Sequence, residues 1–330
     1  MFYVSFPMSE PFLRNGRAAA GLSRPPGRRR FTPKVRFRYL PLWAALLAAS
    51  AALARDVTDQ TGRRVNVPDH PQRIVSLAPS ITETLYALGL GDRLVGDTDY
   101  CDYPSEARAK PHVGAMLNPN LEMIVALKPD LVLGTDEANR RETADQLAHL
   151  GIPLYGVTAH TVEETLQSLE NLGRVLDWEQ PTGKLVAGLR GRVEAVTKRA
   201  QRLERPKVLF VVWYRPLITA GKQTFLADVI RRAGGVSMSD DLKGEWPHMS
   251  LEEVLKRNPD VILFPRTEAF APGLEEFHNL PGWKELPAVK GHRMYLVSET
   301  IMRPCPRLID ALEELAEILH PEDKPQNKVP

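Results

Sequence analysis

One stretch decides the fold of this chain: Leu121-Glu-Met-Ile-Val-Ala-Leu-Lys-Pro-Asp-Leu-Val-Leu133. A diverged copy, Leu251-Glu-Glu-Val-Leu-Lys-Arg-Asn-Pro-Asp-Val-Ile-Leu263, follows 130 positions later, with five identical positions and four aliphatic exchanges. Each copy predicts a short helix that opens on a polar cap, Asn120 or Ser250, and ends before a Pro-Asp pair that leads into an aliphatic strand. Because this spacing is too long for a solenoid unit, the repeat predicts two similar lobes.

Strands and helices alternate through both halves of the chain. A β-hairpin is predicted at residues 56–68, and strands are predicted at residues 73–78, 94–96, 131–133, 154–157, 208–213, 261–264 and 294–297. Further helices are predicted at residues 80–88, 142–150, 161–176, 225–233 and 307–319, the first of them opened by a capping box of Ser80 and Glu83. This alternation with short loops is typical of doubly wound α/β lobes with a largely parallel sheet.

Residues 181–204 interrupt the alternation with one long helical pattern. Apolar residues recur there three and four positions apart, and Lys and Arg fill the other faces. A helix of about 24 residues is about 36 Å long, which is enough to run along both lobes. The predicted fold is therefore α/β, with two Rossmann-like lobes joined by one long interlobe helix. The predicted segments are an N-terminal extension with a signal peptide (1–54), a first lobe (55–178), the interlobe helix (179–205), a second lobe (206–320) and a tail (321–330).

The basic residues are concentrated at the front of the chain. Nine of the 43 Lys and Arg residues, but only one of the 41 Asp and Glu residues, lie within residues 1–54. This leaves 34 basic against 40 acidic residues, so residues 55–330 carry a net charge of about −6 although the whole chain carries +2. The mildly acidic body excludes the basic surface expected of a nucleic-acid-binding protein.

The front of the chain also has the pattern of an export signal. Lys34, Arg36 and Arg38 form a positive region, residues 40–50 an apolar core, and residues 52–54 (Ala-Leu-Ala) a site for signal peptidase. A transmembrane anchor is the alternative, but the apolar run falls short of the roughly 20 residues that a span needs. We therefore expect cleavage after Ala54 and a soluble, monomeric protein in the periplasm. No cysteine follows this site, so no lipid anchor is expected there.

The two cysteines and the scattered histidines do not indicate a catalytic or metal site. An oxidising compartment permits a disulfide between Cys101 and Cys305, and two unpaired thiols are the alternative. The sequence has no Gly-rich phosphate loop, no G-x-S-x-G elbow and no H-E-x-x-H motif. An exported α/β enzyme remains as a rival class, although no nucleophile–base set is visible. We predict no catalytic residue, no metal site and no cofactor.

Aromatic residues lie in the loops that follow or precede predicted strands and repeats. Tyr100 and Tyr103 follow a strand, Trp213 ends one, and Trp246 precedes the second repeat. Ligands of open α/β sheets bind beyond the carboxyl ends of the strands, so two facing lobes would line one cleft with these rings. The alternative for each ring is a place in the core. Glu299, at the end of a strand, is a candidate polar group on the same rim, or else a solvated loop acid.

The two repeats carry a glutamate at the same position of their helices, Glu122 and Glu252. A helix dipole favours an acid in the first turn by roughly 0.3–1 kcal/mol, and this effect alone explains each glutamate separately. It does not require the same register in both lobes. A matched pair of exposed carboxylates suits a partner with twofold symmetry and basic residues.

Together these features resemble the periplasmic substrate-binding proteins of the iron and vitamin B12 ABC importers, and among them the vitamin B12-binding proteins most. The resemblance covers residues 56–320. It is carried by the segments at residues 73–83, 102–104, 120–132, 219–222, 246–247 and 306–307.

The resemblance implies that Glu122 and Glu252 contact arginines of the two permease subunits. It also implies that a transported cobalamin or other corrinoid lies in the cleft against Tyr100, Trp213, Trp246 and Glu299. Tyr103 is the further candidate from the aromatic loops. Met116 and Thr135 depart from the family pattern, since they stand where the B12 binders place tryptophans, and Met116 is retained as a candidate ligand contact. A ferric-siderophore or haem binding protein of the same fold is the rival within the class, but it would be expected to offer more arginines than Arg215 and Arg303.

Overall fold

The computed structural model describes residues 54–136, 138–267 and 274–321. The predicted export signal and tail lie outside these ranges, except for Ala54 and Pro321. Within the described ranges no helix is long and apolar enough to cross a membrane. Strands β1 (Ala54–Thr58) and β2 (Arg64–Pro68) form the predicted antiparallel hairpin.

The first lobe is a parallel sheet with helices on both faces. Its strands are β3 (Ile74–Ser76), β4 (Leu94–Gly96), β5 (Leu131–Thr135) and β6 (Leu154–Val157), in the order β4-β3-β5-β6. Its helices are α1 (Pro79–Ala87), α2 (Leu121–Ala126), α3 (Arg141–His149) and α4 (Val162–Val175). Helix α5 (Glu179–Ala200) follows and leads to the second lobe.

The second lobe repeats the topology of the first. Its parallel strands are β7 (Lys207–Phe210), β10 (Val236–Ser237), β11 (Val261–Pro265) and β12 (Met294–Val297), in the order β10-β7-β11-β12, and a short hairpin joins β8 (Trp213–Tyr214) to β9 (Leu217–Ile218). Its helices are α6 (Phe225–Arg232), α7 (Leu251–Arg257), α8 (Pro287–Lys290) and α9 (Leu308–Leu319). In both sheets the strands run in the order second, first, third, fourth. The predicted two-lobed α/β fold is confirmed.

The two sequence repeats form the same structural unit in both lobes. Asn120 Oδ1 accepts a hydrogen bond from the Met123 amide at 3.1 Å, and Ser250 Oγ accepts one from the Glu253 amide at 3.1 Å. Both predicted caps are therefore confirmed. Both helices are followed by a residue with positive φ at the same repeat position, Lys128 at 49° and Asn258 at 52°.

The aspartates of the two Pro-Asp pairs anchor the repeat to the first strand of each sheet. Asp130 accepts hydrogen bonds from the backbone amides of Gln72 and Arg73 at 2.8 and 2.9 Å, and its own amide donates to the Arg73 carbonyl at 2.9 Å. Asp260 accepts from the Lys207 amide at 2.7 Å and donates its amide to the Lys207 carbonyl at 2.9 Å. The same interaction thus fixes β5 beside β3 and β11 beside β7.

The cations at the start of these first strands reach back to the repeat helices. The Arg73 guanidinium donates to the carbonyls of Leu127 and Lys128 at 2.6 and 3.0 Å. The Lys207 ammonium donates to the Arg257 carbonyl at 3.0 Å, and Arg257 occupies the repeat position of Leu127. A cation at a helix carboxyl end satisfies carbonyls that lack a partner within the helix. Each lobe therefore closes helix, loop and strand into one rigid unit.

Two helices, not one, connect the cores of the lobes. Helix α5 has 22 residues and is about 33 Å long. Its buried valines and Leu189 pack into the core of the second lobe, as do Val162, Leu166 and Leu169 from the first half of α4. Leu172 and Val175, from the second half of α4, pack into the first lobe. The Val162 amide also donates to the buried Asp228 carboxylate at 3.0 Å. These shared contacts favour lobes that move little relative to each other.

The predicted capping box at the start of α1 is wrong. The N-cap is Ala78, which has no side-chain hydrogen bond to offer, and Pro79 occupies the first turn. The helix begins one residue earlier than expected because proline suits the first helical position and needs no amide partner. Ser80 therefore lies inside the helix, and the Glu83 carboxylate is free to turn away from the backbone towards the second lobe.

We predict that Asp130→Ala and Asp260→Ala each lower the free energy of unfolding by about 1–3 kcal/mol, because the first removes charge-assisted hydrogen bonds to two backbone amides and the second removes one. Urea unfolding followed by circular dichroism measures the change. Asp145→Ala is the matched control, because Asp145 is exposed on α3. Losses no larger than that of the control would show that the two carboxylates do not hold the sheets.

Candidate functional site

The candidate cleft is formed by loops at the carboxyl ends of the parallel strands in both lobes. Residues 97–104 follow β4, and residues 298–307 follow β12. The hairpin of β8 and β9 and the loop at residues 238–249 complete the second lobe's side. Ligands of such sheets bind at this edge because the strands end there and leave side chains and backbone groups unpaired by the sheet.

Four of the predicted site aromatics are exposed on these loops. The exposed fraction is 54% for Tyr100, 45% for Tyr103, 44% for Trp213 and 37% for Trp246. These values exclude the alternative that the rings belong to the core. Since exposed aromatic rings offer flat, rigid apolar surfaces, these four side chains are suited to a large planar ligand.

Close backbone packing holds the Trp246 loop in place. The Gly221 amide donates to the Glu245 carbonyl at 2.8 Å, and the Thr219 amide donates to the Pro247 carbonyl at 3.1 Å. A Cβ atom on Gly221 would lie 2.1 Å from the Gly244 carbonyl oxygen, so only glycine fits there. On the neighbouring hairpin, the Trp213 indole N–H donates to the Arg215 carbonyl at 2.8 Å. Both tryptophans are therefore presented by ordered loops.

Met116 and Thr135 lie on the first lobe and are joined by Asn139, a residue that sequence reasoning missed. The Asn139 amide group donates to the carbonyls of Met116 and Leu77 at 2.8 and 3.2 Å, and its oxygen accepts from the Thr135 amide at 2.7 Å. The Met116 side chain is half-buried, so its surface towards a ligand is smaller than that of the tyrosines. No sequence motif marks Asn139, because two of its three partners, Leu77 and Met116, lie 62 and 23 positions away in the chain.

A charge cluster crosses from one lobe to the other at the floor of this region. The Glu83 carboxylate, on α1, is 1% exposed and accepts hydrogen bonds from Arg303 at 2.6 Å and from Arg307 at 3.1 Å. Arg303 also lies 3.0 Å from Asp102 and 3.4 Å from Glu299. Arginines of the second lobe are thus held by carboxylates from both lobes.

Arg303 remains charged within this cluster. Burial alone would lower the pKa of Arg303, but the hydrogen bonds and charges of Glu83 and Asp102 outweigh it and raise the pKa further above its ordinary value. The Arg307 guanidinium lies 3.5 Å from the ring centroid of Tyr103, a cation–π contact that places it beside a predicted ligand residue. Glu299, the predicted rim acid, is 40% exposed in its side chain and serves as a partner of Arg303.

Both cysteines are free thiols and both are buried. Cys101 Sγ lies 3.2 and 3.3 Å from the hydroxyl groups of Thr82 and Thr98, and Cys305 Sγ–H donates to Glu83 at 3.3 Å. Burial raises the pKa of both thiols, which keeps them protonated and unreactive. Of the two alternatives, the structure has the unpaired thiols. Through this hydrogen bond Cys305 belongs to the charge cluster.

One small enclosed cavity lies between the lobes. It has a volume of about 20 Å³ and is lined by hydroxyl and apolar side chains of the first lobe and by Pro304 of the second. It has room for about one water molecule. This cavity is therefore too small for a large ligand.

Among the described residues, no group of three or more His, Cys, Asp or Glu side chains is arranged to hold a metal ion. The first repeat places Glu122 exposed at the second position of α2, and the second places Glu252 exposed at the second position of α7. A helix that leads into a parallel strand runs antiparallel to it. Both glutamates therefore lie towards the same edge as the cleft and are exposed there.

The family model for periplasmic binding proteins matches residues 74–300. The chain belongs to the periplasmic binding protein family. By sequence it is similar to an uncharacterised ABC transporter substrate-binding lipoprotein of Bacillus subtilis, 34% identical over 311 residues, which covers 85% of this chain and 97% of the relative. It is also 30% identical over 248 residues to the vitamin B12-binding protein of Vibrio parahaemolyticus, covering 74% and 88%. The members of this family act as substrate-binding components of transport systems.

Two solved structures of this family show the same fold, and the two proteins are named after different ligands. The vitamin B12-binding protein of Vibrio cholerae has a TM-score of 0.68 and 28% identity, and the match covers 77% of this chain and 99% of that chain. The haem-binding protein of Roseiflexus sp. RS-1 has a TM-score of 0.69 and 28% identity, covering 76% and 98%. Fold similarity alone therefore does not choose between a corrinoid and a haem for this binding protein.

The loop that carries Tyr100 begins at a buried aspartate with an unusual pKa. Asp97 Oδ1 lies 2.7 Å from His112 Nδ1, while Oδ2 is buried without a hydrogen-bond partner among the described residues. Burial raises the pKa of Asp97 from 3.8 to about 6, although His112 opposes the rise. The Asp97 carbonyl accepts from the Val113 amide at 2.7 Å, which ties this loop to the segment that leads to Met116.

We predict that the stability difference between the wild-type protein and Asp97→Asn depends on pH. Because the folded-state pKa of about 6 exceeds the ordinary 3.8, the folded protein takes up a proton between these values that the unfolded chain does not. The wild-type protein therefore loses stability relative to the variant as the pH rises from about 4 to about 6, by at most about 3 kcal/mol. Urea unfolding of both proteins at pH 4.5 and pH 7 measures this. An equal difference at both pH values would contradict a raised pKa.

Proposed function

We propose that this protein binds cobalamin or another corrinoid in the interlobe cleft and delivers it to the permease of an ABC importer. The four exposed rings, Tyr100, Tyr103, Trp213 and Trp246, are the observation that carries the proposal. They project from strand-end loops of both lobes, where a broad macrocycle would contact all of them. The shared helices α4 and α5 suit a largely preformed cleft rather than a wide closing motion.

The arginines near the cleft favour an uncharged ligand over an anionic one. Arg303, one of the two arginines expected to be available, is held by Glu83, Asp102 and Glu299. The other, Arg215, lies 5.3 Å from the ring centroid of Tyr214. A cation–π contact leaves the N–H donors of Arg215 free, so Arg215 alone of this pair could bind a carboxylate. A carboxylate-rich siderophore or the two propionates of haem would need more such guanidinium groups. The corrin ring carries neutral amides, so it is the better match.

We further propose that the mature protein acts in the periplasm as a monomer and by binding alone, without catalysis. The exposed pair Glu122 and Glu252 would then dock on basic residues of the two permease subunits. The pairing of two equivalent helices with a twofold-symmetric permease supports this role. Neither glutamate has a salt bridge within the described residues, so both carboxylates are available to a partner.

We predict saturable binding of cyanocobalamin in the micromolar range or tighter, with quenching of tryptophan fluorescence. Trp213 and Trp246 are exposed, whereas Trp178 is half-buried and Trp283 belongs to the core. Trp213→Phe with Trp246→Phe should therefore remove most of the quenching, while Trp178→Phe leaves it unchanged. Calorimetry measures the affinity in parallel.

Titrations with hemin and with ferric siderophores complete this experiment. If cobalamin shows no saturable binding, the corrinoid assignment is wrong. Tighter binding of hemin or of a siderophore than of cyanocobalamin would instead favour the rival within the same family.

We predict that Glu122→Ala with Glu252→Ala leaves the affinity for ligand intact and abolishes uptake by cells. The reason is that docking and ligand binding use different surfaces. Glu142→Ala with Glu275→Ala is the matched control, since each of these is an exposed acid in the first turn of another helix, one in each lobe. The control should support normal uptake. Loss of ligand affinity in the Glu122 and Glu252 variant would place these residues in the cleft and refute the docking role.

A further inference from the structure

The Glu83 cluster has more negative than positive charge. Two guanidinium groups, from Arg303 and Arg307, face three carboxylates, from Glu83, Asp102 and Glu299. The formal charge of the cluster is therefore −1. Glu83 contributes most to neutralising the two arginines, because it contacts both at hydrogen-bond distance and is almost fully buried.

Arg307 is the arginine of this cluster that lies next to the proposed ligand surface. Its guanidinium stands over the ring of Tyr103, which is 45% exposed. Glu83 is its carboxylate partner at 3.1 Å, whereas Arg303 has three such partners. If the charge of Glu83 were absent, Arg307 would present an uncompensated guanidinium fork beside Tyr103. Such a fork binds carboxylates with two parallel hydrogen bonds.

We propose that Glu83 is a specificity-determining residue of the cleft. By neutralising Arg303 and Arg307, it prevents the cleft from binding ligands through carboxylate groups and makes it selective for macrocycles with uncharged amide side chains. Glu83 acts through the arginines and does not touch the ligand. This inference rests on the proposed function only in requiring that the ligand enters this cleft.

Two corrinoids with the same ring, one with neutral and one with anionic side chains, test the proposal. Dicyanocobinamide carries neutral amides, and dicyanocobyrinic acid carries carboxylates in their place. The purified protein and its Glu83→Gln variant are titrated with both probes by calorimetry. The readout is the ratio of the two affinities. A loosened contact between the lobes would weaken both probes alike and leave this ratio unchanged.

We expect Glu83→Gln to shift the ratio towards the carboxylated probe by about tenfold or more, since one buried negative charge close to the ligand is removed. Arg307→Met in the Glu83→Gln background should cancel the shift. Glu194→Gln is the control for net charge, because Glu194 lies on α5 and pairs with Lys198. It should leave the ratio at the wild-type value.

A second variant covers the case in which Glu83→Gln fails to fold. Asp102→Asn removes another carboxylate of the cluster, and its side chain is 42% exposed, so the fold does not depend on its burial. It should shift the ratio in the same direction by a smaller factor. An unchanged ratio in both variants, or a shift that persists without Arg307, would overturn the proposal.

Hemin and its dimethyl ester form a second probe pair that separates this proposal from the corrinoid assignment. If the corrinoids do not bind but Glu83→Gln improves hemin relative to its ester, the corrinoid function fails and the role of Glu83 stands. If cobinamide binds the wild-type protein and the ratios of both pairs stay constant, the function stands and the role of Glu83 fails. Absence of binding by all four probes would overturn both.

Discussion

The carboxylate of Asp130 and its counterpart Asp260 hold the architecture together. Each accepts backbone amide hydrogen bonds from the first strand of its sheet, while a cation from that strand caps the helix before the aspartate. Helix, turn and two parallel strands are thereby locked in the same geometry twice. These hydrogen bonds fix the repeat helix, and with it the position of the first-turn glutamate, in each lobe. The matched register of Glu122 and Glu252 is thus a consequence of shared structure, and their exposure is what makes them available to a partner.

Rigidity between the lobes comes from a second set of contacts. Helix α4 divides its apolar residues between the two cores, and α5 lies beside it. On the cleft side, Glu83 joins the first lobe to the arginines of the second. Breaking one partner of such a buried pair costs several kcal/mol because the remaining charge stays buried. The cleft is therefore bounded by apolar helices at the back and by the Glu83 charge cluster at the floor, and we propose the aromatic loops as the surface that meets a ligand.

Local patterns predicted the elements well, and contacts distant in sequence were the ones that escaped prediction. Alternation and caps located β6 and α4, because their periodicity and start signals lie within a few residues. The Ser80–Glu83 spacing also matched a capping box, but the true partner of Glu83 lies 220 positions away, and no local rule includes it. Asn139 escaped for the same reason. The exposed aromatics were predicted as site residues because strand-end loops are recognisable in the sequence. The sequence did not predict that α4 packs into both cores. An amphipathic helix has the same apolar stripe whichever core it packs against.

We propose that the aromatic loops bind the ligand while the repeat helices remain free for the permease. Hydrogen–deuterium exchange of the purified protein, with and without saturating cyanocobalamin, tests it most directly. Protection is predicted in residues 98–104, 213–218 and 244–248, with no change in α2 and α7. Protection confined to the first turns of α2 and α7, or no protection anywhere under saturating ligand, would contradict the account.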